Sequence, residues 1–138
     1  MGKIGKILLI TLLVVLIGLG GVLYYVVSAQ KGDEPPTAEE LAEMTIEVPE
    51  ITANLKDRTY VMCAVNITTD SKESKEELEL LLYKVNDVLI KELADMTAEQ
   101  LTGKKNIAKF QETIKKEASD ILTEGKISEV YITKMVTQ

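Results

Sequence analysis

A run of 21 uncharged residues, 7–27, constrains this chain more than any other feature. As an α-helix rising about 1.5 Å per residue, the run extends roughly 30 Å, the thickness of the hydrocarbon core of a bilayer. Lys3 and Lys6 precede it, whereas Asp33 and Glu34 follow it closely. The positive-inside bias therefore predicts one transmembrane helix over residues 7–27, with residues 1–6 in the cytoplasm and the rest of the chain extracytoplasmic.

A cleaved signal peptide is the alternative for this segment. Ser28 and Ala29 are small residues at a place where a signal peptidase cuts, although an apolar region of 7–15 residues is more usual in such peptides. The single cysteine, Cys63, lies far from any position suited to lipid attachment. We therefore expect an uncleaved anchor, with cleavage after Ala29 as the competing hypothesis.

Composition narrows the chemistry open to the remaining chain. Beyond the two N-terminal lysines, 14 Lys and Arg stand against 22 Asp and Glu, a net charge of −8 that repels nucleic acid phosphates. The chain has no His and one Cys, which excludes imidazole bases, Cys/His nucleophilic pairs, His/Cys zinc sites and intrachain disulfides. We expect no cofactor, no metal and no catalytic residue.

The composition of residues 28–45, which include Gly32, Pro35 and Pro36, predicts an acidic linker. Within it, Thr37 and Glu40 have the spacing of a capping box, which predicts one or two helical turns. A linker without secondary structure is the alternative.

The segment 46–138 predicts one small α+β domain that begins with two strands. Pro49 makes the first strand an edge strand or a broken one. Residues 60–68 alternate, and because both sets of side chains are largely apolar, this strand is expected to have both faces covered. Residues 54–58 are the expected hairpin connection.

Two long helices and a last strand complete the predicted order ββααβ. A capping box from Ser74 to Glu77 precedes apolar residues at helical spacing through Leu93, which predicts one long amphipathic helix. The second helix is marked by apolar residues from Ile107 to Leu122 and should end near Gly125. Residues 127–136 are rich in β-branched side chains and predict the C-terminal strand.

Other polar features have weaker implications. Cys63 lies in the middle of a strand, which favours a packing role over a reactive one. Five lysines lie on or before the last helix, where they form either a plain solvated face or a patch that contacts lipid headgroups or an acidic partner; they are Lys104, Lys105, Lys109, Lys115 and Lys116.

The whole layout resembles the FliL family of flagellar basal body-associated proteins. The most specific motifs are EITANL at residues 50–55, which ends on an Asn-Leu signature, and residues 125–138, which end on Gln138. Residues 87–90 and 120–122 also resemble the helical segments of the family. The chain departs from the family where Ala118 and Ser119 replace an Ile-Asn pair, and where Ile132 replaces a Phe.

This resemblance implies a stomatin-like (SPFH) extracytoplasmic domain without enzymatic turnover. It further implies a protein of the bacterial inner membrane, located at the flagellar basal body, that self-associates into a ring around the stator proteins MotA and MotB and supports torque, motility and swarming. The implied partners are therefore a second copy of the chain, the stator, basal-body components and membrane lipid. Asn54, Leu55, Tyr131 and Gln138 are the family-motif positions expected to have structural or self-contact roles.

Two other classes of function stay open from the residues alone. A membrane-tethered extracytoplasmic sensor or ligand-binding module would need a pocket in the small domain. A membrane-bound hydrolase that uses carboxylates or a Ser/Lys pair has suitable residue types, but no spacing places a base beside a nucleophile.

Overall fold

The computed structural model describes residues 2–30 and 34–138, and it divides the chain into two compact units, 1–36 and 37–138. In the first unit, helix α1 spans Lys3–Gln30. Its segment Lys3–Ala29 is long and apolar enough to cross a membrane, a property that a signal sequence shares. Within its apolar run, the hydroxyl of Thr11 donates to the carbonyl oxygens of Ile7 and Leu8, so this polar group is satisfied inside the helix.

The second unit begins with the short helix α2, Ala38–Glu43, which lies within the predicted linker. The amide of Glu40 donates to the Thr37 hydroxyl over 3.2 Å, and the Thr37 amide donates back to the Glu40 carboxylate over 2.9 Å. The predicted capping box is therefore formed, and these residues are helical. Gly32 and Asp33 lie outside the described residues.

Three antiparallel strands form one sheet in the order β1-β2-β3: β1 spans Thr45–Asn54, β2 spans Tyr60–Thr69 and β3 spans Ile127–Thr137. The first strand is an edge strand, and its register shifts between Val48 and Ile51, around Pro49. Proline has no N–H to donate to a ladder, so it is tolerated at such a bulge on an edge. Both expectations for this strand are confirmed.

Helices α3 (Lys72–Leu80), α4 (Leu82–Ala94) and α5 (Lys104–Ser119) lie between β2 and β3 in the chain, with a 3₁₀ turn at Glu99–Leu101. The prediction of one long helix from Ser74 to Leu93 is wrong. The backbone leaves helical geometry at Leu81 (φ −104°, ψ 18°). Helix α3 contacts β1 and β2, and α4 contacts β1 and α5. The order is therefore ββαααβ rather than ββααβ, although the α+β class is correct.

The end of the last helix also differs from the prediction. Helix α5 stops at Ser119, whereas residues up to Leu122 were expected to be helical. The hydroxyl of Ser119 accepts a 3.1 Å hydrogen bond from the amide of Ile127, the first residue of β3. Leu122 still packs into the core from the loop, so its apolar character reports burial rather than helix.

The hydrophobic core lies between one face of the sheet and the three longer helices. In β2, alternate side chains are almost fully buried, at 0–1% exposure, whereas the side chains between them stay half-exposed as far as Asn66. The expectation that both faces of this strand are covered is therefore wrong. The buried residues of the strands and helices that meet in this core include Val61, Cys63, Val65, Ile67, Leu78, Val85, Leu89, Leu93, Phe110, Ile114, Ile127 and Val130.

Candidate interaction surface

The face of the sheet that points away from the helices is the candidate functional surface, and we call it the open face. Strand alternation and register place its side chains in rows that cross all three strands. One row contains Thr52, Met62 and Val136, and the next contains Ala64 and Lys134. Other residues of the open face include Glu47, Glu50, Asn54, Tyr60, Asn66, Tyr131 and Gln138.

Large apolar side chains are exposed on this face in an otherwise strongly acidic unit. Tyr60 is 58% exposed, Tyr131 52% and Val136 37%, while Met62 lies half-buried between two strands. Tyrosine and methionine are enriched at protein interfaces, because they combine large contact area with adaptable packing. The open face therefore has the composition of a contact surface.

Both edge strands bulge at the same level of the open face. The register between β1 and β2 shifts between Val48 and Ile51, and that between β2 and β3 shifts at Ala64 and Val65. The hydroxyl of Thr133, at the second bulge, donates to the carbonyl oxygen of Ala64 over 3.2 Å. Bulges splay neighbouring strands and redirect side chains, which opens space above the small Ala64 side chain.

The space above Ala64 is a depression of about 440 Å³ that is open to solvent. Its polar lining consists of the carboxylates of Glu47 and Glu50, the Asn66 amide and the Thr133 hydroxyl. Lys134 lies beside it and forms a 2.7 Å ion pair with Glu50 across the face. Acceptor groups beside an exposed apolar row suit a partner with apolar side chains and a basic group.

The structure places three of the four motif residues predicted from the sequence on the open face. Asn54 pairs with Tyr60 in the β1·β2 ladder, and Gln138 exchanges two 2.9 Å backbone hydrogen bonds with Tyr60 on the other side. Tyr131 lies farther along, paired with Asn66. Leu55 does not join them: it is 4% exposed within the core. The roles of all four residues stay predictions.

Tyr60, Met62 and Val136 were not identified as surface residues from the sequence. The alternation in β2 places Tyr60 and Met62 on the face opposite the buried side chains. Because both residues are largely apolar, the sequence predicted that this second face of the strand is also covered. Whether the second face is covered depends on how many helices pack on the sheet, which is a property of the tertiary structure. An apolar residue on an uncovered sheet face has the same local sequence signal as one on a covered face.

A second depression, of about 470 Å³, lies where α3 begins against the loop before β3. The hydroxyl of Ser74 donates to Asp70 over 2.8 Å, and the amide of Thr123 donates to Glu77 over 2.8 Å. These hydrogen bonds lower the pKa of both carboxyl groups below their usual values. Both carboxyl groups already have hydrogen-bond partners within the chain, and these bonds hold the loop before β3 against α3.

Cys63 is the one thiol, and it lies in the core with 1% exposure. Burial raises its pKa to about 11, so the thiolate is scarce at neutral pH. Within residues 2–30 and 34–138, no group of three or more His, Cys, Asp or Glu side chains is arranged to hold a metal ion.

Comparison with known sequences decides the family. The sequence profile of the family described as "Flagellar basal body-associated protein FliL" matches residues 45–138. The chain is also 36% identical over 122 residues to a protein of Bacillus subtilis (strain 168) named "Flagellar protein FliL", and this match covers 87% of each chain. The chain belongs to the FliL family.

The FliL match spans the whole sheet, all three long helices and every residue of the open face. The similarity to the Bacillus protein covers more residues than the domain match alone, so it extends into the N-terminal part of the chain. FliL proteins are flagellar accessory proteins and not a known family of enzymes. Membership associates the chain with the flagellar basal body, and α1 is compatible with a membrane anchor there.

Proposed function

We propose that this chain is an accessory protein of the flagellar motor, anchored in the inner membrane by α1, with residues 1–6 in the cytoplasm and the α+β unit outside. The apolar helix Lys3–Ala29 supports the anchor, and Lys3 and Lys6 support the orientation. Residues 7–27 are the proposed span, 28–45 the tether and 46–138 the extracytoplasmic domain. Resemblance to stomatin-like domains stays a prediction.

The open face is the observation that carries the proposed role in the motor. Tyr60, Met62 and Val136 are accessible in adjacent rows, so they form a continuous apolar patch rather than scattered exposed residues. We assign the open face to contacts with other components of the motor: a second copy of the chain in a ring, the stator proteins MotA and MotB, and the basal body. Through these contacts the protein supports torque generation, motility and swarming.

Three exposed tyrosines provide a matched test of this assignment. Tyr60 and Tyr131 lie on the open face, whereas Tyr83, at 65% exposure, lies on α4. In a strain that lacks the gene, the wild-type chain should restore swimming and swarming, and the Tyr83→Ser variant should do the same. The Tyr60→Ser/Tyr131→Ser double variant should reach the membrane in equal amount but restore motility poorly.

Crosslinking in the same strains identifies the partner. We expect adducts of the wild-type chain with itself and with the stator, and a severalfold loss of these adducts in the Tyr60→Ser/Tyr131→Ser variant. Unchanged swimming, swarming and stator retention in the deletion strain would overturn the proposed function. Normal motility of the double variant would overturn only the role of the open face.

A sensor or ligand-binding module remains the second candidate, and the depression above Ala64 is the observation that favours it. Its volume of about 440 Å³ falls in the range of small-molecule sites. It lies open on a sheet face rather than enclosed, which suits a side chain of a protein partner better than a free ligand. A small molecule that raises the melting temperature of the wild-type chain, but not that of the Ala64→Leu variant, would favour the sensor.

A further inference from the structure

Helix α5 concentrates the positive charge of the second unit. It contains five lysines and two glutamates. Four of the lysines are exposed, and so is Glu112, which lies on the same side of the helix as Lys105 and Lys116. At about 100° per residue, Lys105, Lys109 and Lys116 fall on the side of the helix opposite the buried Phe110, Ile114 and Ala118. We call the outward side of α5 with its five lysines the lysine face.

The rest of the unit has the opposite charge. Residues 37–138 contain 13 Lys and Arg against 20 Asp and Glu, whereas α5 alone has a net charge of +3. In the part of the chain that the structure describes, no ion pair involves a lysine of α5; all five ion pairs use lysines of other segments. The charge of the lysine face is therefore available to a partner.

Folding stability does not explain the lysines in the first half of α5. The first turn of α5 carries Lys104 and Lys105 and no acidic residue, although the positive end of the helix dipole favours acidic side chains there. Lys105 and Lys109 also have the spacing of a like-charge pair, which destabilises a helix slightly. Lys116 is different, because it lies in the last turn and four residues after Glu112, where a lysine stabilises the helix. The lysines at the start of α5 have no such explanation, which points to a role outside the fold.

The surroundings of the lysine face distinguish between two kinds of acidic partner. Among the described residues, no large apolar side chain of α5 is exposed, in contrast to the open face of the sheet. Protein interfaces depend on buried aromatic, apolar or arginine anchors and are depleted in lysine. A face of exposed lysines without such an anchor matches a diffuse anionic surface.

An anionic surface would lie within reach of the second unit if α1 crosses a membrane. Residues 31–36 connect the two units, and even a fully extended chain of that length reaches only about 20 Å. At physiological ionic strength the Debye length is about 8 Å, so the surface responds to the nearest charges of a protein rather than to its net charge. An acidic domain can therefore approach such a surface through one basic face.

We propose that the lysine face of α5 contacts the headgroups of anionic phospholipids in the membrane that holds the chain. This inference rests on the proposed anchoring by α1. Each lysine near an anionic surface adds attraction, and the tether keeps the local lipid concentration high. The contact orients the α+β unit, with its acidic surfaces turned away from the bilayer.

A spin label on the lysine face tests the contact in the full chain. Ala108 is exposed on α5, and Cys63 is too buried to react, so Ala108→Cys gives a single labelling site. The chain is placed in nanodiscs of phosphatidylcholine, with or without an equal amount of phosphatidylglycerol, and collisions of the label with a nickel-chelating lipid are measured. Tyr83→Cys, exposed on α4, provides the control label.

We expect collisions at the Ala108→Cys label to rise at least threefold in discs with phosphatidylglycerol and to fall again in 1 M salt. The Tyr83→Cys label should respond little to the lipid. In the Ala108→Cys background, the triple variant Lys105→Glu/Lys109→Glu/Lys116→Glu should abolish the rise. The variant Lys56→Glu/Lys84→Glu/Lys91→Glu changes the net charge equally outside α5 and should retain it.

Equal collision rates at the Ala108→Cys label in both lipids would overturn the proposal. If, in addition, the lysines of α5 crosslink to an acidic protein in cells, the partner of the lysine face is that protein and not lipid. Loss of the chain from the discs on alkaline washing is a different result, because it contradicts the anchoring by α1. The two failures are therefore distinguishable.

Discussion

Gly125 lies directly against the side chain of Ser74, so that a methyl group on the glycine would stand 2.1 Å from the Ser74 Oγ atom. The same hydroxyl donates to Asp70 over 2.8 Å and accepts a 2.9 Å hydrogen bond from the hydroxyl of Ser71. Gly125 also has a positive φ of 79°, a conformation that side chains disfavour. The absence of a side chain at Gly125 therefore lets the loop before β3 pack directly against the start of α3.

Replacing this glycine should destabilise the unit in two ways. Gly125→Ala adds the strain of positive φ, about 1 kcal/mol, and forces the Ser74 hydroxyl away from Asp70, which costs roughly another 1–2 kcal/mol. We expect the free energy of unfolding to fall by about 2–3 kcal/mol. Urea denaturation of the detergent-solubilised chain, followed by circular dichroism, measures this change.

Gly103→Ala is the matched control for the glycine variant. Gly103 also has a positive φ, of 90°, but no atom lies within 4 Å of the position that its Cβ would occupy. With ψ 149° this backbone lies in a region that is essentially restricted to glycine, so its substitution should cost the strain alone, about 1–3 kcal/mol. In a Ser74→Ala background the cost of Gly125→Ala should fall and that of Gly103→Ala should not; an unchanged cost for Gly125→Ala would contradict the role of its contact with Ser74.

The carboxyl group of Asp70 should make the free energy of unfolding depend on pH in the acidic range. The hydrogen bond from Ser74 is the main cause that lowers its pKa below the ordinary 3.8. A group with a depressed folded pKa contributes stability above its unfolded pKa and loses it as the pH falls through the folded pKa. We expect the Asp70→Asn variant to be less stable than the wild type at pH 7. Below about pH 4 the variant should lose less stability than the wild type does. Melting temperatures between pH 7 and pH 3 test this, and parallel curves for the wild type and the variant would contradict it.

The thiol of Cys63 should be inert in the folded chain. Its pKa rises from 9.0 to about 11 through burial, which lowers the thiolate fraction at pH 8 about a hundredfold. A disulfide reagent should therefore label the native chain very slowly and the urea-unfolded chain at the ordinary rate. Rapid labelling of the native chain would show that β2 separates from the helices far more often than this packing allows.

Features governed by local chemistry were predictable from the sequence. The capping box of Thr37 and Glu40 needs only residues three apart, and Pro49 restricts its strand wherever the strand lies. The alternation in β2 also identified the buried set, because strand geometry sends successive side chains to opposite faces. Each of these signals lies within ten residues of chain.

Features that depend on distant partners were missed. The break at Leu81 interrupts a run of leucines without a Gly or Pro to mark it, and the two helices that it separates both pack on the sheet. The end of α5 depends on the hydrogen bond between Ser119 and Ile127, across a loop. Of the candidate surface, the family motif identified Asn54, Tyr131 and Gln138, but only the sheet register adds Tyr60, which pairs with two of them.

Lys134 should protect the exposed edge of β3 from pairing with other chains. It lies next to the bulge at Thr133, and charged side chains and bulges both discourage the addition of a strand to an edge. Lys134→Val leaves an apolar, β-branched run beside that edge. We expect this variant to form large aggregates in detergent on heating, whereas Lys134→Arg should behave as the wild type.

The Glu50→Gln variant separates this protection from the ion pair. It removes the partner of Lys134, a 2.7 Å contact whose side chains are both more than 40% exposed, so it should change stability by less than about 1 kcal/mol. Because Lys134 keeps its own charge, light scattering should show no aggregation above that of the wild type. Aggregation of Glu50→Gln to the level of Lys134→Val would mean that the ion pair across Ala64, and not the lysine charge at the edge, keeps β3 unpaired.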